Sequence, residues 1–405
     1  MNKMVISQKS LFKISVSLLT IAFVLFYFSD GIGKLLYRSG AGYTPYSAIL
    51  KGLFEVVILS YAIITLRKQK ATIIFAVLLL LGSFLIGQFF LSLSFKELDF
   101  AENFSTLFKY LFPFIFYLLA IDVISSDKYP VMLLKYYKII ISINSLIIVL
   151  GTIFSITFLK TYKGIHRFGY DGLIFAQNEA SFIFIFAITT VYYRRFYLGI
   201  KEKFFWIVLL PSLIVATKAV YVFIILLFFF HIIKRVPLKR ILAFGISIFV
   251  LGYILFSTTI NDIFINSYQV FMYELNRGGL LHALLSGRDA FIKDKLEPLI
   301  FEHWSFPNII FGGQDVVAHY IEMGLFDLFL FFGLFGAIIY VFFFYSLFKL
   351  IQFKKDFKIF FGLSLLAIVA TAGHFFESGI AGIHFIFLLL INRKYKTEDV
   401  PGTKD

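Results

Sequence analysis

GLFDLFLFFGLFGAIIYVFFFYSLF, residues 324–348, decides the fold class. Its sole charge is Asp327, and it exceeds the about 20 apolar residues with which an α-helix crosses a hydrocarbon core about 30 Å thick. Working outward, similar runs recur at about 11–28, 46–66, 71–93, 104–124, 135–159, 173–192, 204–217, 219–233, 241–258, 357–373 and 378–392. With 60% hydrophobic and 15% charged residues and a mean hydropathy of +0.88 over 405 residues, the chain carries more apolar surface than a soluble domain can bury. The expectation is an all-α polytopic membrane protein: one integral domain over 1–405, about twelve transmembrane helices, and a large outer-side loop, 257–322, between helices nine and ten. The seventh, eighth and last runs are short, with Thr217, Lys218 and Ala219 forming only a minimal turn. The first follows Lys3, Lys9 and Lys13 without a small-residue cleavage site, so it reads as a retained helix rather than a signal peptide.

The basic residues alternate in density between successive loops. With a cytoplasmic N-terminus, the loops on that side hold Arg67, Lys68 and Lys70, then Lys128, Lys135 and Lys138, then Arg194, Arg195, Lys201 and Lys203. Lys234, Arg235, Lys239 and Arg240 follow, then Lys349, Lys354, Lys355 and Lys358, and finally Arg393, Lys394, Lys396 and Lys404. The positive-inside rule therefore puts both termini in the cytoplasm of a multi-pass protein of the cytoplasmic (inner) membrane. The net charge of +14 follows from this asymmetry and from anionic headgroups, so nucleic acid is not an expected partner.

Zero cysteines exclude disulfides, thiolate metal sites, Fe–S clusters and a cysteine nucleophile. No phosphate-cradling glycine loop, dinucleotide fingerprint or His-x-x-x-His pair occurs, and no cofactor is expected.

What remains are polar residues on the outer face. The segment Lys160 to Gly172 is basic where basic residues should be scarce, and its Arg167 carries the planar donor fork suited to phosphate; headgroup contact is the plainer reading of Lys160 and Lys163. Helix six opens on Gln177, Asn178, Glu179 and Ser181, polar groups that belong in a bundle interior or a watery cavity. Lys218 has no evident sequence-local partner, and an anion elsewhere is its simplest one. The large loop contains Arg288 and runs through His319 and Glu322 into a helix bearing Asp327; His319 and Glu322 would share a face if that helix began early. His374 and Glu377 lie at the same outer level, whereas Lys51 and Glu55, at i and i+4, are expected to neutralise each other.

In order, GYDGLIFAQNEAS (169–181), ATKAVY (216–221), LSGRDAF (285–291), GGQDVVAHYIEMGLFDLFLFFGLFGAIIY (312–340) and AGHFFESGIAG (372–382) resemble the O-antigen polymerase and O-antigen ligase superfamily. The resemblance covers most of the chain from Arg167 onward, and the first five helices share only hydropathy. It implies an integral glycosyltransferase that takes an oligosaccharide from polyprenyl diphosphate, at the extracytoplasmic face, and passes it to an acceptor sugar. Arg167 and Arg288 match the arginines that would hold the donor diphosphate, with Lys218 in support. His319, Glu322 and Asp327 match the acceptor-side segment, and His-Tyr-Ile-Glu in place of the ligases' His followed by Asn or Asp favours a polymerase.

The chemistry agrees. A leaving diphosphate is stabilised by fixed cations, and an attacking hydroxyl needs a proton acceptor, with Glu322 the first choice. In-line displacement would invert the anomeric centre, and without an Asp-x-Asp or adjacent carboxylate pair the expected enzyme is metal-independent. Donor and acceptor lipid-linked saccharides, the bilayer and other envelope polysaccharide (capsule or exopolysaccharide) assembly proteins are the expected partners. The rival readings are a ligase that delivers glycan to a terminal acceptor, a transporter of the same lipid-linked saccharide, and a purely structural subunit.

Overall fold

The computed structural model describes residues 7–40, 46–126, 128, 130–162, 168–201, 203–235, 265, 268–269, 271–280, 282–283, 285 and 287–393. Its long helices are α1 (Gln8–Arg38), α2 (Tyr46–Ile64), α3 (Lys68–Ser92), α4 (Phe100–Ile124), α5 (Val131–Ile153), α6 (Gln177–Phe196), α7 (Phe204–Ile214), α8 (Lys218–Arg235), α9 (Gly324–Leu350), α10 (Lys355–Thr371) and α11 (Gly379–Ile391). No strand occurs among the described residues, and six helices, α1 to α5 and α9, are long and apolar enough to cross a membrane. The run expected at 241–258 lies outside the described residues, as does Arg167.

Burial is distributed as a bilayer requires. Residues with large apolar side chains stand exposed along α2 (Leu53, Val56, Ile63), α3 (Phe75, Leu78, Phe89) and α9 (Leu334, Ile338, Phe342), forming a belt that water would not tolerate. The centre is built from α4, which packs on α1, α2, α3 and α11, and from α11, whose thirteen residues are all buried. At 1.5 Å per residue α11 reaches only about 20 Å. It can be short because protein surrounds it, so its non-helical approach, 372–378, meets helices instead of lipid.

One end of the bundle is tied together by contacts among every second connection. Lys34 in α1 pairs with Asp171 before α6, Gln88 in α3 donates to the Gln314 carbonyl at 2.9 Å, Lys218 at the start of α8 donates to the Ala283 carbonyl at 2.8 Å, and Ser378 before α11 donates to Glu179 in α6 at 2.6 Å. The opposite end holds the basic connections, where Lys70 at the start of α3 is buried against Asp122 at the end of α4 at 2.8 Å.

The segment leading into α9 is positioned by glycines. Gly333 interrupts α9 with φ +64°, and Gly312 crosses it at φ +80°; a Cβ on Gly312 would lie 2.5 Å from the Gly333 nitrogen. A Cβ on Gly87 of α3 would meet the Phe311 carbonyl at 2.6 Å, so this segment is wedged backbone to backbone between two helices. Buried polar side chains then satisfy its backbone. The Asn103 oxygen accepts from the Val316 N–H at 2.8 Å, Asp315 caps Val317 and Ala318, and Trp304 Nε1 donates to the Gly313 carbonyl at 2.8 Å.

Candidate functional site

At the tied end, a cavity of about 700 Å³ opens between α1, α2, α4, the start of α6 and the connections 316–320 and 372–379. Its size is that of a small-molecule site. One wall is a cluster from two connections: His374 Nδ1 lies 2.7 Å from Glu377 Oε1, and the Tyr320 hydroxyl donates to Glu377 and sits 3.1 Å from His374 Nδ1. The two connections touch at the backbone, since a Cβ on Gly373 would lie 2.9 Å from Glu322, and both Glu322 (φ +63°) and His374 (φ +69°) adopt the left-handed region. Such conformations cost about 1–3 kcal/mol and persist only where their surroundings impose them. Burial alone would lower the His374 imidazole, but the Glu377 carboxylate, with Glu179 and Glu322, holds it above its ordinary value.

The facing wall comes from α1 and α2. Asp30 accepts from Lys51 at 2.8 and 3.1 Å and from Ser47. Glu55, one turn further along α2, is 2% exposed, and its Oε2 has no hydrogen-bond partner among the described residues. The expected Lys51–Glu55 neutralisation is therefore corrected: Lys51 turns to Asp30 on the neighbouring helix, which offers both carboxylate oxygens, and Glu55 faces the cavity.

Beside His374 and outside the cavity lining, Arg288 and Glu322 form an ion pair at 3.2 Å. Arg288 Nη1 also donates to the Leu285 carbonyl at 3.3 Å, while Nε, buried, has no acceptor among the described residues. His282 stands near, 2.7 Å from Asp289 and 3.2 Å from Glu274, in the stretch that Lys218 anchors through Ala283.

The structure thus gathers Glu179, Glu322, Arg288, His374 and Glu377, from four separated stretches, around one cavity and its margin. Asn178 is half-buried in the first turn of α6. Two residues stand apart. His319, 7% exposed, ends a short helical turn, Val316–His319, and packs edge-on against Phe95 at 5.0 Å and near His303 at 6.3 Å; its burial lowers its imidazole below the ordinary value. Asp327 accepts the backbone N–H groups of Ile321 at 2.9 Å and Met323 at 2.8 Å, capping the entrance to α9. Because that helix begins at Gly324, His319 and Glu322 share no helical face, which corrects the early-start expectation. Lys218 donates to the Ala283 carbonyl at 2.8 Å.

Sequence reasoning missed Tyr320 and the α1–α2 wall. Asp30 and Lys34, charges inside an apolar run, were the available signal. Comparison with protein-family models, curated proteins and solved structures finds no match.

Proposed function

We propose that this membrane protein polymerises lipid-linked oligosaccharide repeat units, transferring a glycan from polyprenyl diphosphate to the sugar end of an acceptor unit. The observation that carries the reading is the convergence of Glu179, Arg288, Tyr320, Glu322, His374 and Glu377 on one cavity and its margin at a single end of the bundle. That end is opposite the basic connections, so the positive-inside rule makes it extracytoplasmic, with both termini in the cytoplasm.

In this account Arg288, supported by Lys218 and Arg167, holds the donor diphosphate. Its Nη2, now held by Glu322, suits a phosphate oxygen. A diphosphate arriving there competes with Glu322 for the guanidinium and releases the carboxylate beside the acceptor. The acceptor hydroxyl then attacks the anomeric carbon, its proton passes to Glu322, and the bond to the diphosphate breaks with inversion. Tyr320, His374 and Glu377 position the acceptor in the cavity. His319 and Asp327 support the fold of the segment.

The test is a reconstituted reaction with a lipid-diphosphate repeat unit, in which ladder products support polymerisation and a single adduct on a separate terminal acceptor indicates ligase-like transfer. One observation favours a second reading, a transporter of the same saccharide lipid: charged pairs lie among the helices at Asp30–Lys51, Lys34–Asp171 and Lys70–Asp122, the last two buried. Movement of the saccharide across the bilayer with no new glycosidic bond identifies that activity.

A further inference from the structure

At the end of the bundle that holds the basic connections, a second recess, of about 720 Å³, lies between the end of α8 and the start of α10. It is lined by Phe230 and Lys234 of α8, by Lys354, and by Lys355, Asp356 and Ile359 of α10. The two helices meet through aromatic rings, Phe230 stacking on Phe360 at 4.5 Å. Away from the recess, each helix presents one exposed apolar row: Val222, Ile225 and Phe229 on α8, and Ile359, Leu363 and Leu366 on α10. Their spacing of three and four residues puts each row on a single helix face, which in a spanning protein lies against acyl chains.

The recess itself is cationic. Asp356 is its one carboxylate, and both oxygens are engaged: Oδ1 accepts from the Phe357 N–H at 2.8 Å and Oδ2 from the Tyr197 hydroxyl at 3.0 Å. Three ammonium groups stand against it. Lys354 lies over the Tyr197 ring at 5.9 Å, and among the described residues neither Lys234 nor Lys355 makes a hydrogen bond or an ion pair within 4.0 Å. The neighbouring Lys358 is spent differently, donating to the Lys349 and Ile351 carbonyls at 2.9 and 2.8 Å. The ligand that fits is therefore anionic at one end and apolar at the other.

We infer that this recess binds an anionic glycerophospholipid from the leaflet at the basic end, its phosphate between Lys234 and the Lys354–Lys355 pair and its acyl chains along the rows of α8 and α10. Basic residues at this end meet headgroups in general. This recess differs because its lysines come from two helices and flank one apolar seam, so a bound lipid bridges α8 and α10. The inference needs only the membrane and the recess, and it is independent of the reaction proposed above.

The experiment titrates the full-length protein with phosphatidylglycerol and with phosphatidylcholine, reading bound lipid by native mass spectrometry. Three juxtamembrane lysines opposed by one aspartate should give phosphatidylglycerol about 10- to 100-fold preference, declining as salt is added. Replacing Lys234, Lys354 and Lys355 together by Gln should remove that preference, and Lys355→Gln alone should lower it about fivefold. Replacing Lys9, Lys13 and Lys128 by Gln removes as many exposed lysines from the same end and should leave it intact. Phosphatidylglycerol in nanodiscs should raise the thermal midpoint of the wild type and of this control but not of the recess variant, while all three unfold alike in phosphatidylcholine. Equal affinity for the two lipids, or equal losses in the recess and control variants, overturns the inference. So does displacement of the lipid by glycerol phosphate at matched concentration, which would show that the apolar rows contribute nothing.

Discussion

Removing the Arg288 guanidinium and removing the Glu322 carboxylate should move donor binding in opposite directions. In the free protein Nη2 is taken by Glu322 at 3.2 Å and Nη1 by the Leu285 carbonyl at 3.3 Å, and Nε is buried. A bound diphosphate gains a charge-assisted hydrogen bond from the released Nη2. At about 1.5–3 kcal/mol for that bond, Arg288→Ala should lose about 10- to 10²-fold in donor affinity. The Arg288–Glu322 pair is partly exposed, with the carboxylate 39% accessible, and contributes about 0–1 kcal/mol. Glu322→Gln, which abolishes the competition, should therefore bind donor as well as the wild type or up to about fivefold tighter, while turnover falls about 10²- to 10⁴-fold. The assay is calorimetric titration of nanodisc-embedded variants with the lipid-diphosphate repeat unit, paired with single-turnover rates. Arg288→Lys, which keeps the charge and loses the fork, controls for folding. If Glu322→Gln weakens donor binding as much as Arg288→Ala does, the guanidinium serves only to hold Glu322, and the assignment of the diphosphate to Arg288 is refuted.

Further outcomes follow from other contacts. The raised His374 imidazole keeps its proton below its elevated value and loses it as pH rises through that value, so the alkaline limb of acceptor binding should lie above the ordinary 6.5. Glu377→Gln removes the group that raises it most, leaving only Glu179 and Glu322 to oppose burial, and should move the limb to lower pH in a pH profile of acceptor binding; an unmoved limb counts against the cluster. Asp327→Asn costs one of two carboxylate caps, about 1–3 kcal/mol, and should lower the thermal unfolding midpoint with turnover per folded molecule retained, whereas loss of turnover alone would make Asp327 part of the chemistry. Gly333→Ala adds a Cβ only 2.3 Å from the Gly312 nitrogen at a positive φ, so size-exclusion profiles should show little monodisperse protein, and normal yield would contradict the crossing.

Most of the helical layout was readable because length and apolarity are local properties. Each expected run among the described residues coincides with a helix, and the minimal turn between α7 and α8 is there, with Ala216 at φ +57°. The start of α6 was misread for a physical reason. Residues 173–176, LIFA, look helical, yet Gly172 adopts φ +71° against the Asn144 side chain and Asp171 is buried against Lys34, so the chain turns and bends without becoming helical until Gln177. This puts Asn178 and Glu179 in the first turn of α6, with Glu179 at the cavity. The site was legible where polar residues interrupt apolar sequence, as at Arg288, Glu322, His374 and Glu377. It was illegible where a partner lies on another helix: the i, i+4 spacing proposes Lys51–Glu55, and only tertiary packing shows that Asp30 wins Lys51 and leaves Glu55 open. Sequence made Glu322 the first choice over Asp327 by its place at the loop's entry into the helix, but their partners, Arg288 for Glu322 and backbone N–H groups for Asp327, come from tertiary packing alone.

The central claim is that one cavity and its arginine margin join lipid-linked sugars. Purified protein in proteoliposomes, supplied with one polyprenyl-diphosphate-linked repeat unit and analysed by gel electrophoresis and mass spectrometry, should yield a ladder of products spaced by one repeat unit, absent with Arg288→Ala. An unchanged single repeat unit, alone or moved across the bilayer, would contradict the account.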